Sequence, residues 1–176
     1  MNHEIIIAGF GGQGILFAGR VLAYTGMIFD RSVSWLPSYG PEMRGGTANC
    51  HVILKEEPID SPYVVNPNTA ILLNKPSFDK FESTLLPGGK MIYDSTLIEN
   101  SPSREDISYR EIPATRLAYD IEAPMLANMI ILGKTLKETG IFSLEQVFKA
   151  LTELVPKSKE ELLLLNQKAL EKGFSY

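Results

Sequence analysis

Glu4-Ile5-Ile6-Ile7-Ala8, followed directly by Gly9-Phe10-Gly11-Gly12-Gln13-Gly14, is the stretch on which the fold turns. The β-branched run reads as a strand buried on both faces, as in a parallel sheet. Ile15, Leu16, Ala18, Val21 and Leu22 then recur with helical spacing as far as Thr25. A strand that ends in glycines and opens into a helix is a device for holding pyrophosphate. In that pattern the first glycine makes a tight turn, the second lets a ligand approach the backbone, and the third lets helix and strand pack closely. The helix N-terminus adds unpaired N–H groups and the positive end of its dipole. Gly11, Gly12, Gln13 and Gly14 are therefore candidate ligand contacts. The alternative is that the glycines serve only a close contact between helix and strand.

Outward from this stretch, strands and helices alternate. Ser32 to Pro37 is a short strand, and the glycine-rich loop Ser38 to Gly46 follows it. Thr47 to Lys55 alternates Ala48, Cys50, Val52 and Leu54 against Asn49, His51 and Ile53, which suits a strand with two faces. Ala70 to Asn74 is a short apolar run, and Ser77 opens a brief helix. A turn at Pro87-Gly88-Gly89 precedes a strand from Lys90 to Asp94. Pro102 to Ile112 reads as a polar surface connection, with one more strand over Ile112 to Ala114. Three helices are expected at the end: Glu122 to Thr139, one capped by Ser143 with Gln146, and Lys159 to Lys172 stopped by Gly173. The expected fold is α/β, a three-layer Rossmann-like sandwich with a mostly parallel sheet and C-terminal helices. Residues 1–176 are read as a single domain, with 121–176 packing on 1–120.

Composition narrows the function classes. The chain has 176 residues, 44% hydrophobic and 22% charged, with 17 basic against 21 acidic side chains and a net charge of −4. That balance argues against nucleic acid as a partner, since duplex binders present a basic face. The first apolar run is too short for a signal segment, and no stretch approaches a membrane span, so a cytoplasmic location is expected. A single cysteine, Cys50, excludes an intramolecular disulfide or an iron–sulfur cluster held by this chain alone. His3 and His51 stand apart, without the cysteines or carboxylates that would complete a metal site.

The second half of a dinucleotide signature is missing. A NAD or FAD site wants an acid at the end of the second strand to hold the ribose hydroxyls. Asp30 lies about twenty residues beyond the glycines, as the pattern asks, but it precedes that strand. At the strand's end stand Leu36, Pro37 and Ser38. The glycines also lack the Lys-Ser or Lys-Thr pair of a P-loop, which argues against NTP hydrolysis.

The loop Ser38-Tyr39-Gly40-Pro41-Glu42-Met43-Arg44-Gly45-Gly46-Thr47-Ala48-Asn49, taken with Gly9 to Gly14, resembles the gamma subunit of 2-oxoacid:ferredoxin oxidoreductases. The resemblance continues through Asn74-Lys75-Pro76-Ser77-Phe78-Asp79-Lys80-Phe81, Leu86-Pro87-Gly88-Gly89 and Ala127-Asn128-Met129 to Asn166, Ala169 and Gly173. The Glu-Met-Arg-Gly-Gly wording is closer to the 2-oxoglutarate and branched-chain members than to the pyruvate ones. The resemblance implies a non-catalytic-alone subunit of a complex that oxidatively decarboxylates a 2-oxoacid, forms an acyl-CoA and reduces ferredoxin. It implies alpha, beta and ferredoxin-like delta partner subunits carrying thiamine diphosphate and iron–sulfur clusters. It also implies a share in the coenzyme A site for this chain.

In that site the N–H groups of Gly11 to Gly14 would hold the pyrophosphate, with Arg44 taking a phosphate bidentately. Asn128 and Asn166 are further candidate contacts carried over from the family. Arg44 could equally anchor a subunit interface, and both asparagines could simply bond backbone. A self-paired chain is an option when partners are absent. The rival readings are a dinucleotide-dependent Rossmann enzyme and a purely structural subunit.

Overall fold

The computed structural model describes residues 2–38, 47–99 and 103–176. Six strands form one sheet: β1 (His3–Phe10), β2 (Ser32–Ser38), β3 (Thr47–Lys55), β4 (Thr69–Leu72), β5 (Lys90–Asp94) and β6 (Ser108–Ile112), in the order β2-β3-β1-β4-β5-β6. β1, β4, β5 and β6 pair in parallel. β3 runs antiparallel to both β1 and β2, so β2 points the same way as β1 and β3 alone is reversed. The sheet is mostly parallel, as its apolar strands imply.

The period-two alternation of the strands sorts their side chains onto two buried faces. Ile5, Ile7, Cys50, Val52, Ile71 and Ile92 face the helices α1 (Ile15–Ile28), α3 (Ala114–Asp120), α4 (Ala127–Thr139), α5 (Leu144–Leu154) and α6 (Glu160–Ser175). Ile6, Ala8, Ile53, Ala70, Leu72 and Met91 face Phe78 and Phe81 of α2 (Lys75–Glu82), together with Val64 and Ile98 from loops. Three layers result, one of them thin. The C-terminal helices share a single buried cluster with the sheet. Cys50 lies within it, its Sγ 3.7 Å from the carbonyl oxygen of Ile15. Burial pushes its thiol up to about 12, so it behaves as a small hydrophobe.

Three local expectations need correcting. The strand expected over Ile112 to Ala114 is Ser108–Ile112, and Ala114 already begins α3. The five residues of β6 are polar enough to read as a connection, but they complete an edge beside β5, where one face stays wet. The helix expected from Glu122 starts at Ala127, because Glu122 takes a φ of 57° and Pro124–Leu126 forms a 3-10 turn. The brief helix α2 starts at Lys75, two residues before Ser77, with Asn74 as its cap. The capping box of Ser143 and Gln146 forms as the sequence indicates.

The fourth correction concerns Gly173, which does not stop the last helix. α6 continues to Ser175, and Gly173 sits where α6 and α4 touch backbone to backbone. A Cβ there would come within 1.8 Å of the Ile130 carbonyl oxygen, and one on Gly133 within 2.1 Å of that of Leu170. The two glycines are a packing device.

His3 begins β1 and is 8% exposed. Burial, reinforced by the N-terminal ammonium, Arg31 and Lys90, lowers its imidazole to about 4. The group is therefore held neutral in the folded chain.

Two outcomes follow. Gly173→Ala gains about 1 kcal/mol of helix propensity but overpacks a backbone contact at a cost of typically 1–3 kcal/mol or more. A net loss of stability in urea unfolding is expected, whereas a glycine that merely stopped the helix would tolerate the change. For His3, the unfolded chain takes up a proton below about pH 6.5 that the folded chain refuses until about pH 4. The stability of the wild type relative to His3→Gln should therefore be constant above about pH 7.5 and fall as pH drops from about 6.5 towards 4. Urea midpoints of the two proteins across that range check the sign.

Candidate functional site

α1 begins without a side-chain cap. Gly14, at φ 72°, takes the N-cap position and offers no side chain to the first turn. The first helical N–H bonded to a carbonyl is that of Ala18, which donates to Gly14 O at 3.1 Å. Among the described residues, the N–H groups of Ile15, Leu16 and Phe17 are thus left pointing out of the helix end, where the dipole is positive. The preceding loop bends through Gly12 at φ 94°, and a Cβ built there would meet nothing within 4 Å. The backbone at Gly12 is open to a ligand.

The rest of the loop is braced from behind. Gln13 Oε1 accepts the Phe10 N–H at 2.6 Å, and Gln13 Nε2 donates to Leu73 O at 3.1 Å, just past the end of β4. Gly9 leaves room for this brace, since a Cβ on it would lie 2.5 Å from Gln13 Oε1 and 2.8 Å from Ile15 Cδ1. Asn128 Nδ2 donates to Gly14 O at 3.0 Å, and its Oδ1 accepts the Met129 N–H at 2.9 Å. The glycine roles are therefore redistributed. Gly9 serves packing, while Gly12 and Gly14 supply the turn.

The loop lies at the carboxyl edge of the sheet, between β1 and β4, where the strand order changes direction. Open α/β sheets bind ligands at such a crevice. α1 starts from it on one face and α2 on the other. At the start of α2, Asn74 Oδ1 accepts the Ser77 N–H at 2.8 Å, while the buried Asn74 Nδ2 and Ser77 Oγ have no hydrogen-bond partner. One strand further on, Asp94 is fully buried. Its Oδ2 accepts from the Thr115 N–H at 3.0 Å and hydroxyl at 2.5 Å, and its Oδ1 accepts the Thr96 N–H at 3.0 Å. Asp94 and Thr115 were not among the sequence candidates. The only sequence signal was an acid followed by Ser95-Thr96 at the end of an apolar strand.

Two clefts open from the loop. One, of about 270 Å³, lies between Gly11, Gly12 and Phe10, Phe17 and Ala48. The other, of about 200 Å³, lies between Gly12, Gln13 and Thr115, Tyr119, Pro124 and Met125. Asn166 borders neither. It is 2% exposed, and its Nδ2 donates to Leu162 O at 2.7 Å within α6 while its Oδ1 lacks a partner. Arg44 and Tyr39 lie outside the described residues. The ends of their loop are nonetheless located: Ser38 closes β2, and Thr47 pairs with Phe10. Both loops therefore leave the sheet at one edge.

The sheet order also explains the missing ribose acid. β3 stands between β1 and β2, so the end of β2 is two strands away from the glycines. Asp30, with φ 56°, precedes β2 at the opposite edge. No acid on β2 can reach a ligand held at Gly12. Among the described residues no three His, Cys, Asp or Glu side chains gather as a metal-ligand set, and no helix is long and apolar enough to cross a membrane.

Comparison with known proteins agrees with this architecture. Residues 4–176 match the family described as pyruvate ferredoxin/flavodoxin oxidoreductase. The 2-oxoglutarate synthase subunit KorC of Methanocaldococcus jannaschii is 37% identical over 99% of this chain and 93% of its own length. The gamma subunit of a keto/oxoacid ferredoxin oxidoreductase from Geobacter sulfurreducens superposes with a TM-score of 0.87 at 29% identity, covering 99% of this chain and 95% of that one. A 2-oxoglutarate:ferredoxin oxidoreductase from Magnetococcus marinus, solved with 2-oxoglutarate, coenzyme A and succinyl-CoA bound, shares the fold at a TM-score of 0.89 and 23% identity. There the match covers 99% of this chain and 30% of the longer one. With the family model spanning nearly its whole length and a full-length relative above a third identical, the chain belongs to the pyruvate ferredoxin/flavodoxin oxidoreductase family, as a gamma-type subunit of a 2-oxoacid:ferredoxin oxidoreductase.

Proposed function

We propose that this chain supplies the pyrophosphate-holding part of the coenzyme A site in a cytoplasmic complex that oxidises a 2-oxoacid, with 2-oxoglutarate as the substrate. The observation that carries the reading is the uncapped start of α1 beside the open backbone of Gly12. Free N–H groups at a helix N-terminus hold an anionic pyrophosphate without any side chain. Coenzyme A needs no acid on its ribose, which fits a sheet that places none within reach. The 2-oxoglutarate assignment rests on the KorC relative, and the share of coenzyme A on a chain of the same fold from an enzyme that binds it.

In this reading Gly11, Gly12 and Gly14 contact the pyrophosphate through backbone N–H groups beside the first turn of α1, while the Gln13 N–H is held by the Phe10 carbonyl at 3.2 Å and Gln13 acts through its side chain. Gln13 and Asn128 are positioning residues, because their side chains hold the loop and are engaged in doing so. Arg44 enters from the neighbouring loop, whose ends emerge beside the glycines, and takes a phosphate. Asn166 stands apart as a residue of the helix packing. Thiamine diphosphate and iron–sulfur clusters belong to alpha, beta and ferredoxin-like delta subunits, and ferredoxin accepts the electrons. This chain, acting as one unit over 1–176, binds and orients the acyl acceptor and carries no acid–base step itself.

In the reconstituted complex, Gly12→Asp should raise the Michaelis constant for coenzyme A about 10–100-fold, as expected for opposing a bound anion and losing charge-assisted bonds of about 1.5–3 kcal/mol. Ferredoxin reduction at saturating coenzyme A should persist. Gly12→Ala controls for the strain of a side chain at positive φ, about 1–2 kcal/mol. Arg44→Ala should also raise the constant. An unchanged constant in both Gly12→Asp and Arg44→Ala would defeat the proposal. A separate variant, Gln13→Ala, should raise the same constant by loosening the loop while Gln13→Glu, which keeps only the acceptor half of the brace, gives an intermediate effect.

A further inference from the structure

β2 ends the sheet and pairs with β3 alone. The ladder fixes which of its backbone groups are left over. The Glu4 and Ala8 carbonyls accept from Asn68 and Leu73 and so face β4. With a period of two, Ile5 and Ile7 then turn their backbone groups to Val52 and Cys50 of β3, while His51 and Ile53 turn theirs to Leu36 and Ser34 of β2. Val33, Trp35 and Pro37 therefore face outwards. The N–H groups of Val33 and Trp35 and the carbonyls of all three have no ladder partner among the described residues, and Pro37 is tolerated because no N–H is required of it there. The same strand floors a groove. The side chains of Val33 and Trp35 lie on the α1 face, where a Cβ on Gly19 would come within 3.0 Å of Trp35 Nε1 and one on Gly26 within 2.9 Å of Val33 Cγ2. Arg20, Tyr24 and Met27 follow one another along α1 at helical spacing and, with Arg31, wall a space of about 370 Å³ over that floor. Arg31 pairs with Glu56 at 3.3 Å, and the Tyr24 hydroxyl donates to Glu153 at 2.7 Å. Arg20 is exposed, and Met27 is 55% exposed.

We infer that this groove takes an extended acidic segment of a partner subunit, which adds a strand beside β2, rests an apolar side chain on Trp35 and brings a carboxylate to Arg20. The chain is a subunit of a larger assembly, and the inference is independent of the coenzyme A reading, since the groove opens along the outer side of β2 and the glycines lie two strands away. Backbone, spacing and charge select the occupant. An unpaired row of N–H and carbonyl groups is satisfied by another strand, whereas a helix laid against it would leave it unpaired. Every second side chain of an added strand points to the α1 face, so its residues reach the indole and the guanidinium in turn. The groove side chains carry two guanidinium groups and no carboxylate, on a chain whose net charge is −4. The Arg20 guanidinium makes no ion pair with a described residue, and its planar fork matches a carboxylate. A second copy of this chain fits worse. Pairing β2 with itself about a two-fold axis would bring both copies' Arg20 and Arg31 into one cleft and set each Pro37 in the new ladder.

The test follows amide hydrogen exchange in the free chain and in the reconstituted complex, together with the affinity of this chain for the remaining subunits. The Val33 and Trp35 amides should exchange freely in the chain alone and slow by about tenfold or more on assembly. Arg20→Glu should weaken assembly about tenfold at low salt, less at high salt, and Arg20→Lys should restore most of the loss. Val33→Pro removes an outward N–H without touching the β3 ladder, and it should weaken assembly beyond Val33→Ala, which measures the lost packing. Arg20 is exposed and the exchange measurement needs no variant, so the result does not hang on whether Val33→Pro folds. Val33 and Trp35 amides that exchange as fast in the complex as in the free chain would overturn the inference. Protection that already grows in the free chain with its concentration would make the occupant a second copy and overturn it too. Arg20→Glu assembling as tightly as the wild type would rule out an acidic segment.

Discussion

The side chain of Gln13 joins two parallel strands at the point where the sheet order reverses, and the geometry of the carboxyl edge depends on that bridge. Its amide accepts from the N–H of Phe10 at the end of β1 and donates to the carbonyl of Leu73 beyond β4. Both are backbone groups that have run out of strand partners and would be costly to bury unpaired. The bridge fits only because Gly9 lacks a side chain. With the strand ends satisfied from behind, the loop can turn outward through Gly12 and Gly14 and leave the first N–H groups of α1 without partners. A side-chain cap would have consumed those donors. An uncapped helix start costs some stability, typically about 1 kcal/mol, and it is on those unpartnered donors that the proposed function rests.

A second constraint is the reversed strand β3. Placed between β1 and β2, it pushes the end of β2 away from the glycines and brings the start of β3 against Phe10. A dinucleotide fold keeps its second strand adjacent to the first so that an acid can reach the ribose. Here that neighbour is replaced by an antiparallel pair, β2 and β3, whose joined ends at Ser38 and Thr47 lie at the same edge of the sheet as the glycines. The topology thus removes the ribose contact of a dinucleotide fold. Stability at the far side of the molecule rests on different physics. Lys134 and Arg110 pair with the Glu138 carboxylate, and the Lys90 ammonium donates to the Glu138 main-chain carbonyl; although burial raises its carboxyl, the Lys134 bond and the surrounding cations hold it below the usual carboxylate range. That cluster ties α4 to β5 and β6, while the glycine contact between α4 and α6 closes the helical layer.

Much of this was legible in the chain itself, for identifiable reasons. The apolar run before Gly9 could only be a doubly buried strand, and the helical spacing after Gly14 could only be a packed helix. The capping box at Ser143 is a local hydrogen-bond pattern and formed as read. Misreadings arose where a residue's meaning depends on a distant partner. Gly173 looked like a helix stop because the Ile130 carbonyl that requires it lies on another helix. Ser108–Ile112 looked like a connection because an edge strand need not be apolar. Asp94 and Thr115 were invisible as a pair, since twenty-one residues separate them and only the docking of α3 against β5 brings them together.

The sequence by itself determined the layered α/β class, the glycine loop and the family, because these are carried by short-range periodicity and by motifs whose residues are neighbours along the chain. It left open what the glycines are for and which candidates act together. Only the tertiary structure decided that Gly9 serves a brace, that Asn128 supports the loop, and that Asn166 borders neither cleft. It also decided that the two loops share one edge, since strand order is a property of long-range pairing that no local pattern encodes.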